Sequence, residues 1–383
     1  MTSSPPGRPA GVSKTFTLVK TLTVAAIVAL TALGALLAAG HEPVVAAPPT
    51  VAGVALDTVV ARLEAVIPEA MLREDVPGIS IAIVGDGKLL WAKGYGVANK
   101  ATGAAVTERT VFRGASLSKT MTAYLALKLV EEGVLELDRP LIEYTGEAYI
   151  DDSRIEDVTL RMVLAHTSGF IGGDATRGQI VSTPGRHWAY SNHGFWYLQW
   201  VVEHVTGQPF AQYAADHLFS PLGMSDTSFV WLDEYAALAA RGYEAGDQVA
   251  QSRPARANAA YGVLTTPSDF ARLVSAIMNP VDGDPSLLGP AGVEAMLTPQ
   301  AEAGSGLSWG LGWGLEPSSD VDYFWHWGWV DGFRNLVVGD FDQRAAIIVM
   351  TNGSGGFRVA QDIVQVIFPG EHPLFPMLFA GGD

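Results

Sequence analysis

Ser116-Leu117-Ser118-Lys119 opens a stretch that reads as a helix to Glu132, stopped by Gly133. A serine and a lysine three positions apart share one helix face, with their side chains in reach of each other. From Met121 to Val130 the pattern is apolar nearly all round, which implies burial. Burial and the positive end of the helix dipole both lower the pKa of a lysine there, and a neutral amine can accept a serine proton. Ser116 is therefore a candidate nucleophile and Lys119 its base. The bare pattern has a second reading, because serine commonly caps helices and lysine commonly solvates them.

Two further groups carry chemistry-bearing side chains. Tyr190-Ser191-Asn192 follows the turn residues Pro184-Gly185 and precedes a helical pattern from Phe195 to Val205. Alone it reads as a helix start capped by Ser191 or Asn192. His326-Trp327-Gly328 lies in a strand whose alternation sends Trp325, Trp327 and Trp329 to one face and His326 and Gly328 to the other. A glycine there lets a ligand approach the strand backbone. The plainer reading is a buried aromatic strand with a satisfied histidine.

A rival nucleophile stands in Gly306-Leu307-Ser308-Trp309-Gly310, which fits the Gly-x-Ser-x-Gly elbow of α/β-hydrolases, with Asp340 and His372 later in the chain. That elbow needs a strand before it and a helix after it, whereas Leu311-Gly312-Trp313-Gly314-Leu315 lacks helical periodicity. The eight histidines include no His-Glu-x-x-His pattern and the chain has no cysteine, so no metal and no cofactor is implied.

These residues need a scaffold. Ile79–Ile83 and Leu89–Trp91 flank Gly85-Asp86-Gly87, a tight-hairpin signal because Asp-Gly tolerates positive φ. Tyr323–Trp329, Phe333–Val338 and Ala345–Thr351 read as three more strands, followed by a helix over Arg358–Ile367. Helical patterns at 117–132, 195–205 and 210–219 lie between the two strand groups. The expectation is an α/β fold: an antiparallel five-stranded sheet built from both chain ends and flanked by helices, with an inserted mainly helical region. Gly and Pro scattered through 278–318 suggest loops there.

The 383 residues, 48% hydrophobic and 17% charged, support a large globular core and exclude disorder as the main state. The formal net charge of −16, with no basic cluster, argues against nucleic acid as a partner. Leu22 to Ala39 runs without a charge behind Arg8, Lys14 and Lys20, the pattern of an export signal or an anchor through residues 21–40, with small residues at Val45-Ala46-Ala47 as a cleavage site. Residues 1–47 are accordingly read as a targeting segment and 48–383 as the catalytic domain, placed extracytoplasmically, secreted or held at the membrane.

In order and spacing the three groups resemble the serine β-lactamase and penicillin-binding protein superfamily, especially its class C-like branch of D-alanyl-D-alanine carboxypeptidases and family VIII esterases. Val76-Pro77-Gly78, Leu164-Ala165-His166-Thr167-Ser168-Gly169, Pro221-Leu222-Gly223-Met224, Tyr261-Gly262-Val263 and Thr266-Pro267-Ser268-Asp269 extend the likeness over residues 55 to 368. The resemblance implies a β-lactamase/transpeptidase-like fold and a Ser116 acyl-enzyme. Lys119 and Tyr190 would move the proton, Asn192 would hold a substrate amide, and the N–H groups of Ser116 and Trp329 would hold the oxyanion. His326 and Gly328 would line the substrate site, with His326 bonded to a substrate carboxylate or to Tyr190, while His166 and Ser168 would be scaffold. The chain departs from the β-lactamase pattern where Lys-Thr-Gly is expected, since His326-Trp327-Gly328 stands there. An imidazole anchors a carboxylate less firmly than a fixed cation does. The expected activity is hydrolysis of D-amino-acid peptides, amides or short acyl esters, a small-molecule or peptide substrate in each case. A true β-lactamase and a penicillin-binding receptor without turnover are the alternatives.

Overall fold

Asp86 and Gly87 both take positive φ, 55° and 69°, and close a two-residue hairpin between strands β1 (Gly78–Gly85) and β2 (Lys88–Asn99). That is the turn whose twist matches antiparallel strands. The computed structural model describes residues 1–4, 7, 48–171, 178–317 and 322–380. The apolar segment 22–39 lies outside them, and among the described residues no helix is long and apolar enough to cross a membrane. The chain divides into units Met1–Pro48 and Pro49–Asp383, and the second holds everything below.

Helix α1 (Leu56–Arg73) precedes the hairpin, and the short edge strand β3 (Ala104–Ala105) follows it. Strand β4 (Phe112–Ala115) feeds helix α2 (Ser118–Glu131). The middle stretch supplies helices α3 (Leu160–Leu164) and α4 (Asn192–Thr206), then β5 (Val263–Thr265), which pairs with β4, and helix α5 (Pro267–Met278). Helix α6 (Pro290–Leu297) leads to strands β6 (Ala301–Gly304), β7 (Leu307–Trp309), β8 (Gly314–Pro317), β9 (Asp322–Val330), β10 (Phe333–Asp340) and β11 (Ala345–Thr351). Helices α7 (Gly356–Ile367) and α8 (Leu374–Ala380) end the chain.

The main sheet runs β6-β7-β8-β9-β10-β11-β1-β2-β3, antiparallel throughout, so β1 from one chain end pairs with β11 from the other. Its centre is covered on both faces. Alternation along β1 sends Ile79, Ile81 and Ile83 toward Leu63, Ile67, Ile363 and Val364 of α1 and α7. Ala82 and Val84 face the other cluster, with Phe270, Val274 and Ile277 of α5. Burying a side chain of this size contributes about 1.5–3 kcal/mol, which is why the three central strands are continuous apolar runs.

The sheet has nine strands among the described residues, not five. β3 adds one edge, and β6, β7 and β8 occupy the stretch whose Gly and Pro content suggests loops. The glycines there serve other ends. Gly304 and Gly306, φ 85° and 79°, make the β6–β7 turn. At Gly314 a Cβ would fall 2.5 Å from the Trp325 indole, so glycine is what lets the ring lie on the strand.

Candidate active site

Ala115 sits at φ 49°, a left-handed conformation rare outside glycine, and it turns the chain sharply from β4 into α2. Ser116 is placed at the corner, largely buried, with Lys119 one turn on and fully buried. Lys119 Nζ is 3.2 Å from Ser116 Oγ and donates to Asn192 Oδ1 at 2.7 Å and to the Ala260 carbonyl oxygen at 2.8 Å. Tyr190 and Phe195 present their rings to the same nitrogen at 4.7 and 5.6 Å. Asn192 is the first residue of α4 and Ala260 lies just ahead of β5, so three separate parts of the chain converge on one amine.

Tyr190 is half-buried, its hydroxyl oxygen sheltered from solvent and facing Ser116, outside hydrogen-bond geometry in this resting arrangement. Burial pushes the phenol well above its ordinary value and the neighbouring Ser116 hydroxyl opposes that only in part, so Tyr190 carries its proton at neutral pH. Its ring lies tilted against His166 at 4.3 Å and against Trp327 at 4.7 Å. His166, at φ 56°, accepts the Ser191 N–H on Nδ1 at 3.1 Å, while its own carbonyl accepts the Ala189 N–H. It pins both flanks of Tyr190. The pairing of His166 with a distant loop has no mark in the linear sequence, which is why its positioning part was not legible there.

His326 is fully buried behind the cleft rather than lining it. Burial, reinforced by Lys119, brings its pKa down to about 3 against the opposing bond to Trp327. Because the Trp327 carbonyl can only accept, the 2.8 Å contact fixes the proton on Nδ1 and leaves Nε2 an acceptor without a partner. A neutral ring in this tautomer cannot donate from Nε2 to a substrate carboxylate. Gly328 likewise faces the protein itself: a Cβ there would fall 2.1 Å from the Gly114 carbonyl oxygen, so β9 and β4 touch backbone to backbone beside Ser116. The approach that glycine permits is the chain's own.

The cleft above Ser116 measures about 590 Å³ and is lined by Trp188, Tyr190, Asn192, Trp327, Trp329, Val330, Asp331, Met377 and Leu378. Ser116, Lys119, Tyr190, Asn192 and Trp329 are thus brought together. Trp188, Met377 and Leu378 join them without any sequence motif to announce them. Ser308 instead sits on strand β7, with β8 and not a helix after it, and lines a separate cleft of about 520 Å³ with no histidine among its described lining residues. Asp340 accepts from Gln343, and His372 is bonded to Glu316 and the Phe368 carbonyl, so the hydrolase elbow is not assembled. Among the described residues no three His, Asp or Glu side chains gather as a metal site requires.

The arrangement has known counterparts. The family model described as Beta-lactamase matches residues 60–368. Protein flp of Staphylococcus aureus is 26% identical over 319 residues, covering 76% of this chain, which spans only 62% of that protein's length. A Beta-lactamase of Pseudomonas fluorescens is 28% identical over 270 residues, 67% of this chain and 74% of that one. The D-alanine carboxypeptidase AmpC from Burkholderia cenocepacia superposes with a TM-score of 0.69 at 27% identity, covering 80% of this chain and 99% of its own. The octameric penicillin-binding protein homologue from Pyrococcus abyssi gives a TM-score of 0.69 at 26% identity, with 82% and 78% covered. A match over most of the chain, with the Ser116–Lys119 pair inside it, means that the chain belongs to the Beta-lactamase family of serine hydrolases.

Proposed function

We propose that the protein is an exported serine hydrolase that cleaves D-amino-acid peptides, amides or short acyl esters through an acyl-enzyme on Ser116. The observation that carries this is the bonding of Lys119. Two of its contacts, Asn192 Oδ1 at 2.7 Å and the Ala260 carbonyl at 2.8 Å, are acceptors that take N–H groups. In the neutral amine the lone pair is then left for the Ser116 hydroxyl at 3.2 Å. Ser116 Oγ attacks the acyl carbon as its proton passes to Lys119. Trp329 pairs with Arg334 next to the hairpin-closing pair Val330 and Phe333, so strand alternation turns its N–H away from β10. Beyond Trp325 strand β9 has no β8 partner, and that N–H and the Ser116 N–H are assigned to the developing oxyanion. Tyr190 passes the proton to the leaving nitrogen or oxygen as the scissile bond breaks. Water then attacks the acyl carbon, its proton returns through the same groups, and Ser116 regains its hydroxyl.

An uncharged His326 favours uncharged amides and esters over an efficient β-lactamase, since it offers no cation to a penicillin carboxylate or to the same group of a D-Ala-D-Ala peptide. Export rests on the charge-free run behind Arg8, Lys14 and Lys20. The test is to offer a nitrophenyl ester, a D-Ala-D-Ala peptide and a penicillin to the wild type, Ser116→Ala and Ser308→Ala, following release and intact mass. Turnover of the ester or the peptide, lost in Ser116→Ala and kept in Ser308→Ala, is the expected result. Loss in Ser308→Ala alone overturns it. Fastest turnover of penicillin would promote the β-lactamase, and a stable adduct without turnover the receptor.

A further inference from the structure

His372, which the chemistry leaves unused, pairs with a buried carboxylate of the sheet next to the helix that lines the cleft. Glu316 on β8 and His372, between α7 and α8, are both 1% exposed in their side chains. His372 donates from Nδ1 to Glu316 Oε1 at 2.7 Å and from Nε2 to the Phe368 carbonyl oxygen at 2.8 Å. An imidazole that meets acceptors at both nitrogens is held as the imidazolium. The other Glu316 oxygen accepts the Leu374 N–H at 3.2 Å, the first amide of α8. One buried carboxylate therefore ties the sheet to the start of that helix. Three and four residues further on, Met377 and Leu378 form the wall of the cleft facing Ser116, Trp327 and Trp329.

We infer that Glu316 and His372 are positioning residues that hold α8 as an apolar selectivity wall, and that Met377 and Leu378 select substrates carrying a bulky uncharged apolar group beside the scissile bond. The same cleft is lined by the indoles of Trp188, Trp327 and Trp329, so a flat or branched apolar group there meets mostly apolar side chains. Among the described residues the one charged side chain that lines the cleft is the Asp331 carboxylate, which disfavours an anionic group there. Burial works against the His372 charge, but the bonds to Glu316 and to the Phe368 carbonyl, with the Glu316 charge, outweigh it and hold the ring above its ordinary value. The remaining faces of the ring meet Tyr323 of β9 and Phe375 of α8.

Substrate selection rests on Ser116 being the nucleophile of this cleft, whereas the tie to α8 does not, and two readouts keep them apart. Amide hydrogen exchange of Leu374–Ala380 at fixed pH reports the helix directly. The KM ratio between the acetyl and phenylacetyl esters of nitrophenol reports selection. Glu316→Gln and His372→Gln should speed exchange in α8 and raise the phenylacetyl KM relative to the acetyl KM, each by about tenfold for a lost charge-assisted bond. Met377→Ala, at a half-exposed position that folding tolerates, should shift the same KM ratio by about tenfold for the lost apolar contact. An unchanged KM ratio in Met377→Ala overturns the selectivity wall, and unchanged exchange in both Glu316→Gln and His372→Gln overturns the tie. If the wild type turns over neither ester, the nucleophile assignment fails while the exchange measurement still decides the tie.

Discussion

A histidine that stays neutral inside a folded protein makes that protein vulnerable to acid. His326 has its pKa brought down to about 3 by burial and by Lys119, and His166, fully buried beside the same amine, is lowered well below 6.5 as well. The unfolded chain takes up a proton near 6.5 at each of these rings while the folded chain does not, so their contribution is full above 6.5 and is lost as pH falls toward the folded value. Between pH 7 and pH 5 the His326 ring should remove about 2 kcal/mol of stability, at roughly 1.4 kcal/mol per pH unit below 6.5, and His166 acts in the same direction. His326→Asn, which keeps a donor for the Trp327 carbonyl, should lose about 2 kcal/mol less than the wild type over that interval in urea unfolding. Equal losses in both proteins would mean that His326 titrates normally in the fold. At this scale the closeness of Ser116 and Lys119 was legible from their spacing on one helix face, and the convergence of Tyr190 and Asn192 on them only from the family resemblance. The tautomer of His326 was not, because it is decided by a carbonyl and by burial that only the assembled strand supplies.

The hairpin at Asp86-Gly87 and the long apolar strands could be read directly, since turn chemistry and two-sided burial leave local marks. Strands β6 to β8 could not, because they are short and their glycines resemble loop punctuation. What recruits them is long-range: the Trp325 indole needs a bare backbone to lie on, and Gly314 provides it. Gly314→Ala puts a methyl group against a fully buried, rigid ring, an overpacking of about 1–3 kcal/mol. Thermal unfolding should show the lower midpoint, and exchange should show the loss concentrated in β8 and in α8, which hangs from Glu316 on that strand. An unchanged midpoint would mean that the ring has room to move aside.

Across the whole molecule the charge balance bears on which substrates arrive. Length alone allows two domains or one domain with a sizeable insertion, and the pairing of β1 with β11, which joins the two ends of residues 49–383 in one sheet, leaves no trace in chain length. The net charge of −16 does carry over into the structure. Among the described residues no lysine or arginine lines the cleft over Ser116, Asp331 does, and the histidine standing in for the expected lysine is neutral. A substrate bearing a carboxylate therefore approaches against the field of the molecule, while an uncharged ester does not. Raising the ionic strength from about 0.02 to about 0.2 M shortens the screening length from about 20 to about 7 Å, which removes most of that repulsion. The kcat/KM for a penicillin or a D-Ala-D-Ala peptide should rise about two- to fivefold over this range while that for a nitrophenyl ester stays level. A fall in the anionic substrate's kcat/KM with salt would require a cation that attracts it at the cleft, and the assignment of uncharged substrates to this site would then fail.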